Sequence, residues 1–137
     1  MKKQSDKSND EFARAYRSLN AEQREAVDAL EGPVMVVAGP GTGKTQMLTL
    51  RIAHIIRQGA ANPENILALT YTEAGVAAMR GRLAQMIGSA GYLVNIHTFH
   101  GFCNSVIQEY NEFFPYIAGA EAITETEQAR TMQNILE

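Results

Sequence analysis

Aspartate runs out early in this chain: of 137 residues, only Asp6, Asp10 and Asp28 are aspartates, and none follows. Cysteine is scarcer still. Cys103 stands alone, which excludes an intramolecular disulfide framework. It shares a helical spacing with Phe99, Phe102, Val106, Ile107 and Tyr110, so it is expected to be buried as a small apolar side chain rather than to act as a nucleophile. No apolar run approaches the length of a membrane span. Residues 1–10 are polar and mixed in charge, which reads as a disordered tail and excludes a signal peptide or membrane anchor; a cytoplasmic location is expected. A basic patch is also missing. The net charge of −3 sits entirely in residues 121–137, where four glutamates face Arg130, while residues 1–120 balance 11 basic against 11 acidic side chains. Any nucleic-acid contact would therefore use a local track rather than a globally positive face.

What is present is a loop. Ala38-Gly39-Pro40-Gly41-Thr42-Gly43-Lys44-Thr45 follows the apolar run Val34-Met35-Val36-Val37 and precedes a helical pattern. Strand, glycine-rich turn and helix together make a phosphate-binding P-loop. Successive backbone N–H groups point inward and the helix adds the positive end of its dipole. Lys44 would reach the β/γ-phosphates, and the Thr45 hydroxyl would ligate Mg²⁺. Ala38 stands where the strict pattern has glycine. The plainer alternative is a glycine-rich turn that happens to open a helix.

The remaining elements follow from caps and periodicity. Asn20 opens a helix to about Leu30, with Gln23 in a capping-box position, and Gly32-Pro33 ends it. A first strand is expected at 34–38. Leu48, Ile52, Ile55 and Ile56 are expected to form one face of the helix after the loop, with Gly59 as its stop. Ile66–Tyr71 reads as a strand apolar on both faces. Thr72 caps a helix striped by Val76, Met79, Leu83 and Met86, which Gly88 breaks. A third strand runs from Tyr92 to about Thr98, followed by a helix over Phe99–Tyr110. Pro115 and Gly119 mark a loop, and Thr124 with Glu127 caps a last helix. This β-α-β-α-β-α order predicts an α/β fold, a doubly wound parallel sheet with helices on both faces. Ligands in such sheets sit at the carboxyl ends of the strands. Those ends carry the loop, Thr70-Tyr71-Thr72 and His97-Thr98-Phe99-His100.

A P-loop hydrolase also needs a carboxylate on a neighbouring strand for Mg²⁺ and the attacking water. The chain offers no such aspartate, and Glu73 is explained as a helix-start acid. The expectation is a piece of a larger domain that binds ATP without hydrolysing it efficiently.

From Leu19 to at least Tyr110 the chain resembles the amino-terminal part of superfamily 1 DNA helicases of the UvrD/Rep/PcrA type, in four ordered blocks. Leu19-Asn20-Ala21-Glu22-Gln23 is similar to the Q motif, Ala38–Thr45 to motif I, Ala68–Glu73 to motif Ia, and Thr98–Cys103 to the next DNA-contacting motif. The resemblance implies a partial P-loop NTPase (RecA-like) fold. It divides the chain into the tail at 1–10, motor domain at 11–110 and the start of an inserted helical subdomain at 111–137. ATP with Mg²⁺ would be held by Gln23, Gly39, Pro40, Gly41, Thr42, Gly43, Lys44, Thr45 and Gln46, with Lys44 and Thr45 in the catalytic roles. Gln23 would read the adenine edge, although its capping role alone also explains it. Thr70, Tyr71, Thr72, Thr98, Phe99 and His100 would bind single-stranded DNA, Tyr71 by stacking on a base. Simple strand burial is the alternative for Tyr71, and a helix-start position for His100.

The chain departs from the family at three places. Glu73-Ala74-Gly75-Val76 stands where Asn-Lys-Ala-Ala is common, Gln46 replaces an arginine, and Gly101 replaces a serine. The implied parent is a helicase of DNA repair or recombination, moving 3′ to 5′ on single-stranded DNA and completed by a second motor domain. A P-loop phosphotransferase and a non-enzymatic nucleotide- or DNA-binding module are the competing readings.

Overall fold

Two short strands joined by one amphipathic helix set the frame of the first half of the molecule. In the computed structural model, which describes residues 2–39, 41–115 and 123–136, β1 (Leu67–Thr70) and β2 (Asn95–Thr98) pair in parallel. Leu67 lies opposite Asn95 and Thr70 opposite Thr98. The connecting helix α4 (Glu73–Ile87) begins where the Thr72 hydroxyl accepts from the Gly75 amide at 3.0 Å. It buries Met79, Leu83 and Met86, with Val76 packed beside them, as the stripe predicts. Gly88, at φ +64°, ends it.

Around this unit lie α1 (Lys2–Arg17), α2 (Ala21–Asp28) and α3 (Lys44–Arg57). The α2 capping box forms in full: the Gln23 amide donates to Asn20 Oδ1 at 2.8 Å, and the Asn20 amide donates to Gln23 Oε1 at 3.1 Å. The core holds Val27, Leu50, Met79, Leu83, Val94 and Ile96, all fully buried. Contacts divide the chain into two units, Met1–Phe102 and Cys103–Glu137, with the boundary inside α5 (Phe99–Glu109). In the second unit, α6 (Glu125–Leu136) starts at Thr124, whose amide and hydroxyl both donate to the Glu127 carboxylate at 2.8 Å.

Four expectations need correction. The strand at 34–38 joins no ladder among the described residues, and the sheet has two strands rather than three. Val34 and Val36 are 41% exposed and Met35 and Val37 88%, so the alternation of an extended chain is there without a hydrogen-bonding neighbour. Residues 2–10 belong to a helix, not to a tail. Phe12, Ala15 and Tyr16 fall on one face of α1, and Phe12 is buried there, as is Leu19 just beyond the helix end.

The buried arc of α3 is Met47, Thr49, Leu50, Ile52 and Ala53, because the helix packs against both α2 and α4; Leu48 is exposed. Cys103 is exposed, and no residue of α5 is buried. Helical spacing groups its apolar side chains on one face but does not determine how far that face is covered: Phe102, Val106 and Ile107 are half-buried. Gly119 lies outside the described residues.

Candidate nucleotide and nucleic-acid site

The glycine-rich loop is built by two residues with positive φ, Gly41 at +74° and Gly43 at +80°. Gly43 is the N-cap of α3, and the left-handed turn there launches the helix directly from the loop. The first helical bond runs from the Met47 amide to the Gly43 carbonyl at 3.0 Å. The N–H groups of the first turn are therefore left without intrahelical partners, as at any helix start. Thr42 closes the loop on itself, its hydroxyl donating to the Gly39 carbonyl at 2.8 Å. Pro40 lies outside the described residues.

Lys44 and Thr45 are both exposed. The Lys44 ammonium folds back over the loop and donates to the carbonyls of Ala38 at 3.1 Å and Gly39 at 2.5 Å. An ammonium has three donors, so one remains for an anion in front of the loop. The Thr45 carbonyl accepts from the buried Thr49 hydroxyl at 2.6 Å, which fixes the backbone beneath it. The Gln46 amide turns toward the Ser18 hydroxyl at 3.5 Å.

In front of this loop lies a cavity of about 350 Å³. Val36, Val37 and Met47 give it apolar walls, Gln23 an amide, and Lys44 a cation. That donor set suits a flat, hydrogen-bonding ring joined to a polyanion. The side chain of Gln23 also touches the loop itself, Nε2 donating to the Thr42 carbonyl at 3.0 Å. Sequence pattern alone could not show this bridge, because 19 residues separate the partners. A metal would find few protein ligands here. Among the described residues no group of three or more His, Cys, Asp or Glu side chains converges, so Thr45 would contribute a single oxygen.

The second cluster sits at the carboxyl ends of the two strands. Because Thr70 registers with Thr98, the next residues along also meet: the rings of Tyr71 and Phe99 lie 5.1 Å apart and tilted by 41°. Tyr71 is 85% exposed and Phe99 42%, so strand burial does not describe Tyr71. Thr72 and His100 are exposed beside them, and Thr70 is half-buried.

Thr98 differs from the other members. It is buried, and its hydroxyl accepts from the Gly101 amide at 3.0 Å, capping α5 as Thr72 caps α4. The structure thus brings Thr70, Tyr71, Thr72, Phe99 and His100 to one surface and places Thr98 beneath it.

Comparison with known proteins gives the family of the chain. Residues 19–137 match the model of the UvrD/REP helicase N-terminal domain. The ATP-dependent DNA helicase PcrA of Staphylococcus epidermidis is 32% identical over 120 residues, covering 88% of this chain and 16% of that protein. A probable DNA helicase II homolog of Rickettsia conorii is 44% identical over 95 residues, covering 69% of this chain and 14% of that protein. The chain thus spans about a sixth or less of the length of these relatives. The described residues contain no helix long and apolar enough to cross a membrane. On this match, the chain belongs to the family of UvrD/REP helicase N-terminal domains.

Proposed function

We propose that this chain is the ATP-binding front part of the first RecA-like motor domain of a DNA helicase. The observation that carries the reading is the cavity of about 350 Å³ that joins Gln23 to the glycine loop and Lys44. Its apolar walls suit adenine, and the loop amides, the α3 dipole and Lys44 suit the phosphates. The Thr45 hydroxyl would hold Mg²⁺, which would supply charge neutralisation during phosphoryl transfer. The remaining sites, Gly39, Pro40, Gly41, Thr42, Gly43 and Gln46, line or flank that phosphate position in the sequence.

Single-stranded DNA is the proposed partner at the strand ends. Tyr71 offers a base-stacking face, Phe99 backs it, and Thr70, Thr72 and His100 supply donors for the backbone. In the parent protein, ATP turnover between this domain and a second motor domain would drive 3′-to-5′ movement in DNA repair or recombination, in the cytoplasm. The 137 residues themselves bind without efficient turnover, since no aspartate follows Asp28.

The test is a double dissociation on the 137-residue chain, with a fluorescent ATP analogue and a fluorescent single-stranded oligonucleotide. Lys44→Ala should abolish nucleotide binding and leave DNA binding largely intact. Tyr71→Ala should do the reverse, weakening DNA binding by about 1–3 kcal/mol, the cost of one stacked base. Nucleotide binding retained by Lys44→Ala would sink the loop assignment, and unchanged DNA affinity in Tyr71→Ala would sink the strand-end assignment.

A further inference from the structure

Gln23 has more than one bonded neighbour, and each fixes something different. Its Oε1 accepts from the Asn20 amide at 3.1 Å, a group that can only donate. Its Nε2 donates to the Thr42 carbonyl at 3.0 Å, a group that can only accept. The two bonds therefore determine which end of the amide faces which way. One lone pair and one N–H remain, enough for the edge of a base, so holding the loop and reading a ring do not compete.

The carbonyl it holds belongs to the Thr42–Gly43 peptide, at the point where Gly43 turns to φ +80° and α3 begins. A Cβ built on Gly43 would lie 3.9 Å from Gln23 Nε2, so the amide sits directly against that turn. Rotation of this peptide would redirect the Gly43 N–H, one of the donors aimed at the phosphate position. On the other side, the Asn20 cap ties Gln23 to α2, whose Ala26 and Val27 are buried in the core.

We propose that Gln23 is a positioning residue for the phosphate loop: its Nε2 bond to the Thr42 carbonyl ties the turn before Lys44 to the capped start of α2, so that phosphate binding depends on Gln23 even when no base is present. The inference rests on the reading of residues 38–45 as a nucleotide loop and adds to it a role that base recognition alone does not imply. Asn20 and Gln23 are thus one end of a brace, and Thr42 is the other.

The probe is magnesium tripolyphosphate, which has no base and no sugar, measured beside MgATP by calorimetry on the 137-residue chain. Gln23→Met keeps the bulk of the side chain and removes both bonds. It should weaken tripolyphosphate about threefold to tenfold, the effect of one lost hydrogen bond, and ATP by at least as much. Val27→Ala, which loosens α2 from the core without touching the cavity, should lower the melting temperature and leave tripolyphosphate affinity unchanged.

Gln23→Glu retains the capping box and so keeps α2 folded if the methionine variant does not; it should also weaken tripolyphosphate. Part of that loss is charge repulsion, which salt screens, and the lost donor is the part that persists at high salt. Weaker ATP with unchanged tripolyphosphate in Gln23→Met would overturn the proposal and leave Gln23 as a base reader only. An equal loss in Val27→Ala would also overturn it, assigning the effect to helix stability. If the unaltered chain bound neither probe, the nucleotide-loop reading itself would fall.

Discussion

Gly75 shows how one missing methyl group shapes the strand-end surface. A Cβ at this position would lie 2.6 Å from Thr70 Oγ1 and 3.2 Å from Thr72 Oγ1, the oxygen that caps α4. Two effects oppose each other in Gly75→Ala. Alanine in a helix is favoured over glycine by about 1 kcal/mol at most, and by less in the first turn. Forcing Thr70 off its rotamer and crowding the cap costs about 1–3 kcal/mol. The clash should win. The variant is expected to unfold at lower urea concentration than the parent chain, with an unchanged m value, and a raised midpoint would refute the argument. Ala74, beside Gly75, supplies no charge to the proposed DNA track.

Among the elements, the caps are where sequence and structure agree most closely. Asn20 with Gln23, Thr72, and Thr124 with Glu127 all form the bonds that their spacing implies. A cap is local: three or four residues carry all of it, so the pattern survives whatever the tertiary surroundings do. The box at α6 adds a pH dependence. Hydrogen bonds from the Thr124 amide, and then from its hydroxyl, hold the Glu127 carboxyl below its ordinary value of 4.5. A depressed folded value means that the stabilisation is present above the unfolded value and is lost as pH falls through the folded one. Helicity should therefore decline below about pH 4.5 by more in the parent chain than in Glu127→Gln, where an uncharged amide keeps the box. Circular dichroism from pH 6 to 3 measures the difference, and identical curves would show that the bond adds nothing to α6. Elements that depend on partners were less legible. The run Val34–Val37 has the composition of a strand but finds no ladder among the described residues, and the face containing Cys103 has helical spacing but leaves Cys103 exposed. Periodicity specifies which side chains align; it does not specify what lies opposite them. For the candidate site, the loop and the strand ends could be read from residue types. The bridge from Gln23 to Thr42 and the burial of Thr98 could not, because both arise from packing between distant segments.

For the molecule as a whole, the family match begins at residue 19, yet α1 lies before it and is packed into the first unit. Phe12 is the anchor. It is 9% exposed, stacks with Tyr16 at 5.9 Å and His54 at 6.1 Å, and lies under the Arg57 guanidinium at 4.5 Å. Tyr16 extends the contact to α2, its hydroxyl donating to the Asp28 carboxylate at 2.8 and 2.7 Å. Those bonds to Asp28, and to a lesser degree burial, hold the Tyr16 hydroxyl above its ordinary value of 10.0. A raised folded value means a contribution fully present below pH 10 and lost only above it, so this tie is intact at neutral pH. The ring stack and the carboxylate bond then divide the docking of α1 unequally. Removing a nearly buried phenyl ring costs about 3 kcal/mol or more, whereas an exposed hydroxyl-to-carboxylate bond adds about 1 kcal/mol. Phe12→Ala should therefore lower the stability of the chain several times more than Tyr16→Phe. That loss is a large part of the 5–15 kcal/mol typical of a domain. Urea unfolding of the two variants measures the ratio. Equal effects would mean that α1 is held by the hydrogen bond rather than by the stack. No effect in either would mean that α1 adds nothing to the stability of the unit it covers.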